Sequence, residues 1–191
     1  MLINNDFEVT EPVAKVWQFF GDIPRVAACL PGAELTESLG EDRYGGQVAV
    51  RMGPVKLQFA GTAQITERDE AAKRIVVYAT GAEERGRGQA SMVVTAMLAA
   101  AGQGTKVAVT QDLQLSGAAA QYGRGMISDV TSVLMRDFSA NLASQIASAE
   151  RGEAVTQAAA PAGGLAIGLR AALMALRRVF RRFFIPYQAT S

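Results

Sequence analysis

Hydrophobic and polar positions change their period several times along this chain, and each change marks an element. Asn4 to Thr10 alternates as a strand does. Thr10-Glu11-Pro12 then opens a helix, with Thr10 as N-cap, Pro12 in the first turn, and Val13, Val16, Trp17 and Phe20 on the apolar face. A second short helix follows Asp22-Ile23-Pro24, runs through Val26, Ala27 and Cys29, and breaks at Leu30-Pro31-Gly32. From Ala33 to Gly117 the period is two. Turn signals at Gly40-Glu41-Asp42, Met52-Gly53-Pro54, Asp69-Glu70, Glu83 to Gly88 and Gly102-Gln103-Gly104 divide the segment into six antiparallel strands. Alternation puts Val48, Val50, Met52, Val55, Leu57, Phe59, Val107, Val109, Leu113 and Leu115 on a dry face. Arg51, Lys56, Gln58, Lys106, Thr110 and Asp112 fall on a wet one. After Gly117 the helical period returns, and Ile127, Val130, Leu134, Phe138, Leu142 and Ile146 form one stripe that ends before Arg151-Gly152.

The last segment is different in kind. Residues 153–164, EAVTQAAAPAGG, carry no period and no bulky apolar group, so residues 151–164 read as a flexible linker. Over 165–185, at about 100° per residue, Leu165, Leu169, Leu173, Leu176, Phe180, Phe183 and Phe184 share a face, with Arg170, Arg177, Arg178, Arg181 and Arg182 nearly opposite. This is the distribution of a helix lying in a membrane interface. Charge strengthens that reading: residues 154–191 hold five Arg and no acid, leaving 14 Lys/Arg against 18 Asp/Glu in residues 1–153. At about 1 kcal/mol per cation near an anionic leaflet, the tail gains roughly 5 kcal/mol before its apolar face inserts. The competing reading packs this helix on its own domain or on a partner, although an all-Arg face without carboxylates repels itself there. A membrane span is not expected, because the uncharged run before Arg170 is short and rich in Gly, Ala and Pro.

Composition narrows the chemistry. The chain has no histidine and one cysteine, Cys29. That excludes histidine-dependent nucleophilic triads, the commonest general base, and ordinary zinc, haem and iron–sulfur ligand sets. The N-terminal MLINNDFEVTEP has neither a basic nor an apolar signal region, so a cytoplasmic location is expected, peripheral on the inner face of the membrane.

One strand, two short helices, six strands and one long helix form the order of the α+β helix-grip fold of the START/Bet v 1-like (SRPBCC) superfamily. The expected domain spans 1–150: a curved seven-stranded antiparallel sheet wrapped around a long C-terminal helix, with an apolar cavity between them. Several segments resemble the CoxG family, the G subunits of carbon monoxide dehydrogenase. They are Val16-Trp17 with Asp22-Ile23-Pro24, Ala27 to Ala33 (AACLPGA), Gly86-Arg87-Gly88, Gly104-Thr105-Lys106-Val107, and Gly117 to Ile127 (GAAAQYGRGMI). The resemblance covers residues 1 to about 148. It implies a non-catalytic accessory protein that helps a cytoplasmic molybdenum-containing carbon monoxide dehydrogenase work with the membrane, and it implies no catalytic residue and no metal ligand.

An apolar cavity together with a membrane-binding tail suits a carrier of a hydrophobic small molecule, here a respiratory quinone (menaquinone or ubiquinone) or a lipid, with no covalent cofactor. The expected lining is Met52, Leu57, Phe59, Met92, Met97, Leu113, Met126, Leu134 and Phe138, though core packing competes for each singly. The expected membrane contacts are Leu169, Arg170, Leu173, Leu176, Arg177, Arg178, Phe180, Arg181, Arg182, Phe183 and Phe184. Two other classes stand beside this: a helix-grip enzyme of cyclase or hydratase type, with polar groups such as Asp112, Tyr78 or Arg87 gathered in the cavity, and a dehydrogenase assembly factor. Arg85-Gly86-Arg87-Gly88 lacks the following helix of a phosphate loop and reads as a hairpin turn. Glu83-Glu84 and Asp69-Glu70 read as solvated pairs, Gly45-Gly46 as a bulge, and Cys29 as a small buried hydrophobe. Tyr122 and Arg124 open the long helix, with partner binding and helix-to-sheet packing weighing equally. No segment resembles a nucleic-acid module.

Overall fold

The computed structural model describes residues 1–150; the predicted linker and tail helix lie outside the described residues. The chain runs β1 (Leu2–Val9), α1 (Val13–Phe20), α2 (Ile23–Cys29), β2 (Ala33–Gly40), β3 (Arg43–Met52), β4 (Val55–Asp69), β5 (Arg74–Glu83), β6 (Gln89–Ala101), β7 (Gly104–Leu115), a short 3-10 turn (Gly117–Gln121) and α3 (Arg124–Glu150). The seven strands form one sheet in the order β1-β7-β6-β5-β4-β3-β2. Every pairing is antiparallel, so the chain meanders from β2 to β7 and then sets its first strand against its last. This is the helix-grip architecture that the periods predict.

Local chemistry accounts for the boundaries. Asp22 caps α2 by accepting the Arg25 amide at 3.2 Å, which leaves fewer orphan donors in the first turn. The cap expected for α1 differs: Pro12, not Thr10, is its N-cap, and no side chain bonds to the turn. Proline's fixed φ starts that helix instead. The irregularity expected at Gly45-Gly46 falls on the neighbouring strand, where the β2 register shifts between Leu35 and Glu37. A Cβ on Gly46 would stand 2.8 Å from the Glu34 carbonyl oxygen, so close backbone approach is the reason for glycine there.

The apolar core falls into two clusters at opposite ends of the sheet. In the first, Phe138, Leu142 and Ile146 of α3 meet Val16, Phe19 and Phe20 of α1 and the strand residues Ile65, Ile75, Leu98, Val107 and Val109. The Phe138 ring stands edge-on to Phe7 at 5.8 Å and to Phe20 at 6.5 Å, the arrangement that aromatic quadrupoles favour. In the second, Ile127 of α3 packs with Ile3, Met52, Leu57 and Ala119. Cys29 is fully buried in the first cluster. Burial pushes its thiol up to about 11, with Arg25 pulling weakly the other way, so this residue is an inert packing group.

Candidate functional site

Between the two clusters the concave face of the sheet carries small and polar side chains. Register sets Gly46 opposite Gly61 and Gly61 opposite Gly81, with Ala63 opposite Ala79 one step along the same face. Continuing around the sheet, the same band contains Met92 on β6, Gln111 on β7 and Asn5 on β1, since Met92 pairs with Leu113 and Asn5 with Val109. Leu134 and Thr131 occupy the matching stretch of α3, where the Thr131 hydroxyl is turned back onto the Ile127 carbonyl at 2.8 Å. Of these, Met92, Gln111, Asn5, Thr131 and Leu134 belong to neither apolar cluster. Three glycines and two alanines facing one helix carry less side-chain volume than the leucines and phenylalanines at the two ends, so this band is the most sparsely filled stretch of the inner face.

The band also holds polar atoms without partners. Gln111 is 6% exposed, and its amide nitrogen is buried with no hydrogen bond; the Asn5 amide nitrogen is in the same condition. The Asn5 oxygen, by contrast, accepts from the Ser132 hydroxyl at 3.2 Å.

The residues expected to line the cavity separate into three groups. Met92 and Leu134 lie in the band itself. Met52 and Leu57 are buried in the second cluster with Phe59 and Leu113 packed on it, and Phe138 is buried in the first. Met97 and Met126 require correction. Met97 is 49% exposed and pairs with Ala108, which puts it on the outer face, and Met126, 44% exposed, sits one residue off the buried stripe of α3. Asp112 and Tyr78 also lie on the outer face, each paired with Val93 from its own side. With Arg87 in the β5–β6 turn, those three polar groups do not converge in the cavity. Among the described residues no acid or thiol cluster is placed to hold a metal ion, and no helix is long and apolar enough to cross a membrane.

A second feature brings together two segments about 30 residues apart in sequence. The Arg87 carbonyl accepts the Ala118 amide at 2.7 Å, and a Cβ on Gly88 would fall 2.0 Å from the Ser116 carbonyl oxygen. Only glycine allows the β5–β6 turn and the 3-10 turn to clasp this tightly, and Gly88 also holds φ of 150°. Glu83, expected in solvent, is 3% exposed at the root of this clasp. Its carboxylate accepts Arg87 Nη2 at 2.8 Å and the amides of Arg85 and Arg87 at 2.9 and 3.2 Å. The Arg87 side-chain bond, helped by those amides and by the guanidinium charge and opposed by burial, holds its pKa down at about 2. Arg87 also donates to the Lys56 carbonyl at 3.2 Å and is itself held more firmly protonated by Glu83. An open depression of about 610 Å³ lies against this clasp, lined in part by Glu83, Arg87, Gln89 and Ser116. Tyr122 packs on the second cluster, whereas Arg124 is exposed.

Comparison with known proteins agrees with this architecture. Residues 6–147 match the model of the family described as the carbon monoxide dehydrogenase G subunit (CoxG). No curated protein matches the sequence. Among solved structures, a conserved protein from Geobacillus kaustophilus superposes with a TM-score of 0.69 at 22% identity, covering 78% of this chain and 97% of that one. A protein from Thermus thermophilus gives 0.53 at 15% identity, over 75% of this chain and 98% of its own. The ZhuI aromatase/cyclase from Streptomyces sp. R1128 gives 0.57 at 14% identity, over 81% and 99%. These likenesses establish the fold.

Proposed function

The chain belongs to the CoxG family, the carbon monoxide dehydrogenase G subunits, and on that premise we propose that it is a non-catalytic carrier that takes a respiratory quinone, or a lipid of similar shape, into its interior and delivers it to a molybdenum-containing carbon monoxide dehydrogenase at the membrane. The observation that carries this reading is the divided core. A domain selected only for stability gains by joining its two apolar clusters, because unfilled space between them forfeits dispersion contacts. Here the joining positions are Gly46, Gly61 and Gly81, where a Cβ would crowd the backbone of the neighbouring strand, and Gln111, a buried amide where an apolar side chain would bridge the clusters. The Arg-rich segment 165–185 supplies attachment to an anionic leaflet, where the quinone pool resides. At the dehydrogenase the delivered quinone takes up two electrons from the enzyme and two protons from water and leaves as the quinol. The carrier contributes solubility and orientation, and none of its own residues changes oxidation state.

The test is mass spectrometry of the organic extract from the full-length protein, purified without detergent from its native host. Quinone near one equivalent supports the carrier. An empty extract from protein that still sediments with anionic liposomes leaves a membrane adaptor or an assembly factor and removes the carrier. Replacing Arg177, Arg178, Arg181 and Arg182 with Glu is expected to abolish that sedimentation.

A further inference from the structure

Taking the carrier reading as its basis, we propose that Gln111, with Asn5 beside it, is the polar anchor of the interior site, and that the carried molecule bears a carbonyl oxygen which these amides hold. Gln111 stands between apolar neighbours in its inward row, with Val107 and Val109 on one side and Leu113 and Leu115 on the other. Leucine or valine at this position would join the two clusters. Instead a primary amide is placed there, nine-tenths buried, with its nitrogen unpartnered. Asn5 lies diagonally across on β1, because Ile3 pairs with Gln111 and Asn5 with Val109; such diagonal neighbours are about 7–8 Å apart and within reach of a shared group.

The chemistry of the pair selects an acceptor. The Asn5 oxygen already accepts from Ser132, which leaves its nitrogen as the free end. Two buried, unpartnered amide N–H donors on neighbouring strands of the inner face match a carbonyl oxygen, whose two lone pairs accept both. A saturated hydrocarbon offers nothing to either donor, and a cation or an ammonium group would be repelled by them. The anchored end of the ligand is therefore its carbonyl-bearing ring, carried inside the domain, while the hydrocarbon chain lies along the apolar residues at the rim of the band.

The experiment compares two ligands of equal shape, 2,3-dimethyl-1,4-naphthoquinone and 2,3-dimethylnaphthalene, binding to the full-length protein and to Gln111→Met, with Gln111→Leu as a second variant should the first fold poorly. The wild type is expected to prefer the quinone by about tenfold, the equivalent of one hydrogen bond. Gln111→Met is expected to lose that preference while binding the hydrocarbon as well or better. In the absence of ligand its thermal transition should stay level or rise, since an unpaired buried amide has been replaced by an apolar chain. A residue serving only the fold would lower that transition. Equal binding of the two ligands by the wild type, or a preference that survives in both variants, overturns the anchor and leaves the carrier standing. Binding of neither ligand by the wild type overturns both.

Discussion

Leu142 and Leu134 are two leucines on the same buried stripe of α3, and the divided core predicts that truncating them has unequal consequences. Leu142 is fully buried within the first cluster. Leu142→Ala removes that packing and leaves a void its neighbours cannot close, at a cost of about 3–4 kcal/mol. Leu134 is half-buried and belongs to neither cluster. Its truncation removes partly exposed carbons from a stretch outside both clusters, so only their transfer is lost, about 1 kcal/mol. For a domain of this size one kcal/mol moves the melting temperature by roughly 2–4 °C. The expected losses are thus about 10 °C for Leu142→Ala and about 3 °C for Leu134→Ala. Urea unfolding at fixed temperature should give the same ranking with an unchanged m-value, which keeps the comparison within a two-state description. Equal losses near 10 °C would mean that α3 is packed uniformly along its length, and the interior site would have no room to exist.

Three further outcomes follow from the clasp and the core. Glu83 titrates below its ordinary range, so the stability it contributes is complete above about pH 4.5 and drains away as the pH falls toward about 2; Glu83→Gln should flatten the dependence of the urea midpoint on pH across that interval, and an unchanged slope would detach the ion pair from folding. Gly88→Ala should destabilise much more than Gly86→Ala, because a Cβ at Gly88 meets the Ser116 carbonyl oxygen at 2.0 Å while Gly86 faces open space and pays only backbone strain of about 1 kcal/mol; the reverse order in urea would refute the clasp. Cys29, with its thiol pushed up to about 11, should resist an aromatic disulfide reagent at pH 8 in the native protein and react at once in urea.

The order and type of the strands and α-helices were legible in the sequence because the hydrophobic period switches cleanly between two and 3.6. The interior was harder to read, for reasons of parity. Met92 and Met97 lie five residues apart on one strand, so they cannot share a face; composition suggests both, and the register keeps only Met92 inside. Met126 precedes Ile127 by one residue, about 100° around the helix from the stripe. The polar band had a usable signal, a glutamine between the inward-facing valines and leucines of β7, which composition alone does not weigh. Glu83 and Arg87 were separable from a solvated turn only by tertiary context, since the 3-10 turn that covers them comes about 30 residues later.

The pairing of β1 with β7 sets a schedule for synthesis. Residue Asn4 finds its partner Thr110 only after more than a hundred further residues have been made, an interval of roughly 5–20 s at ordinary ribosomal rates. The hairpins from β2 to β7 each need only the strand just before them. The first strand must wait outside that growing sheet, with Phe7 and Val9 still wet, until β7 arrives to receive it. A nascent chain held before Thr105 therefore displays an incomplete sheet with an unclaimed edge, and it is at this stage, not in the finished domain, that a chaperone has most to bind.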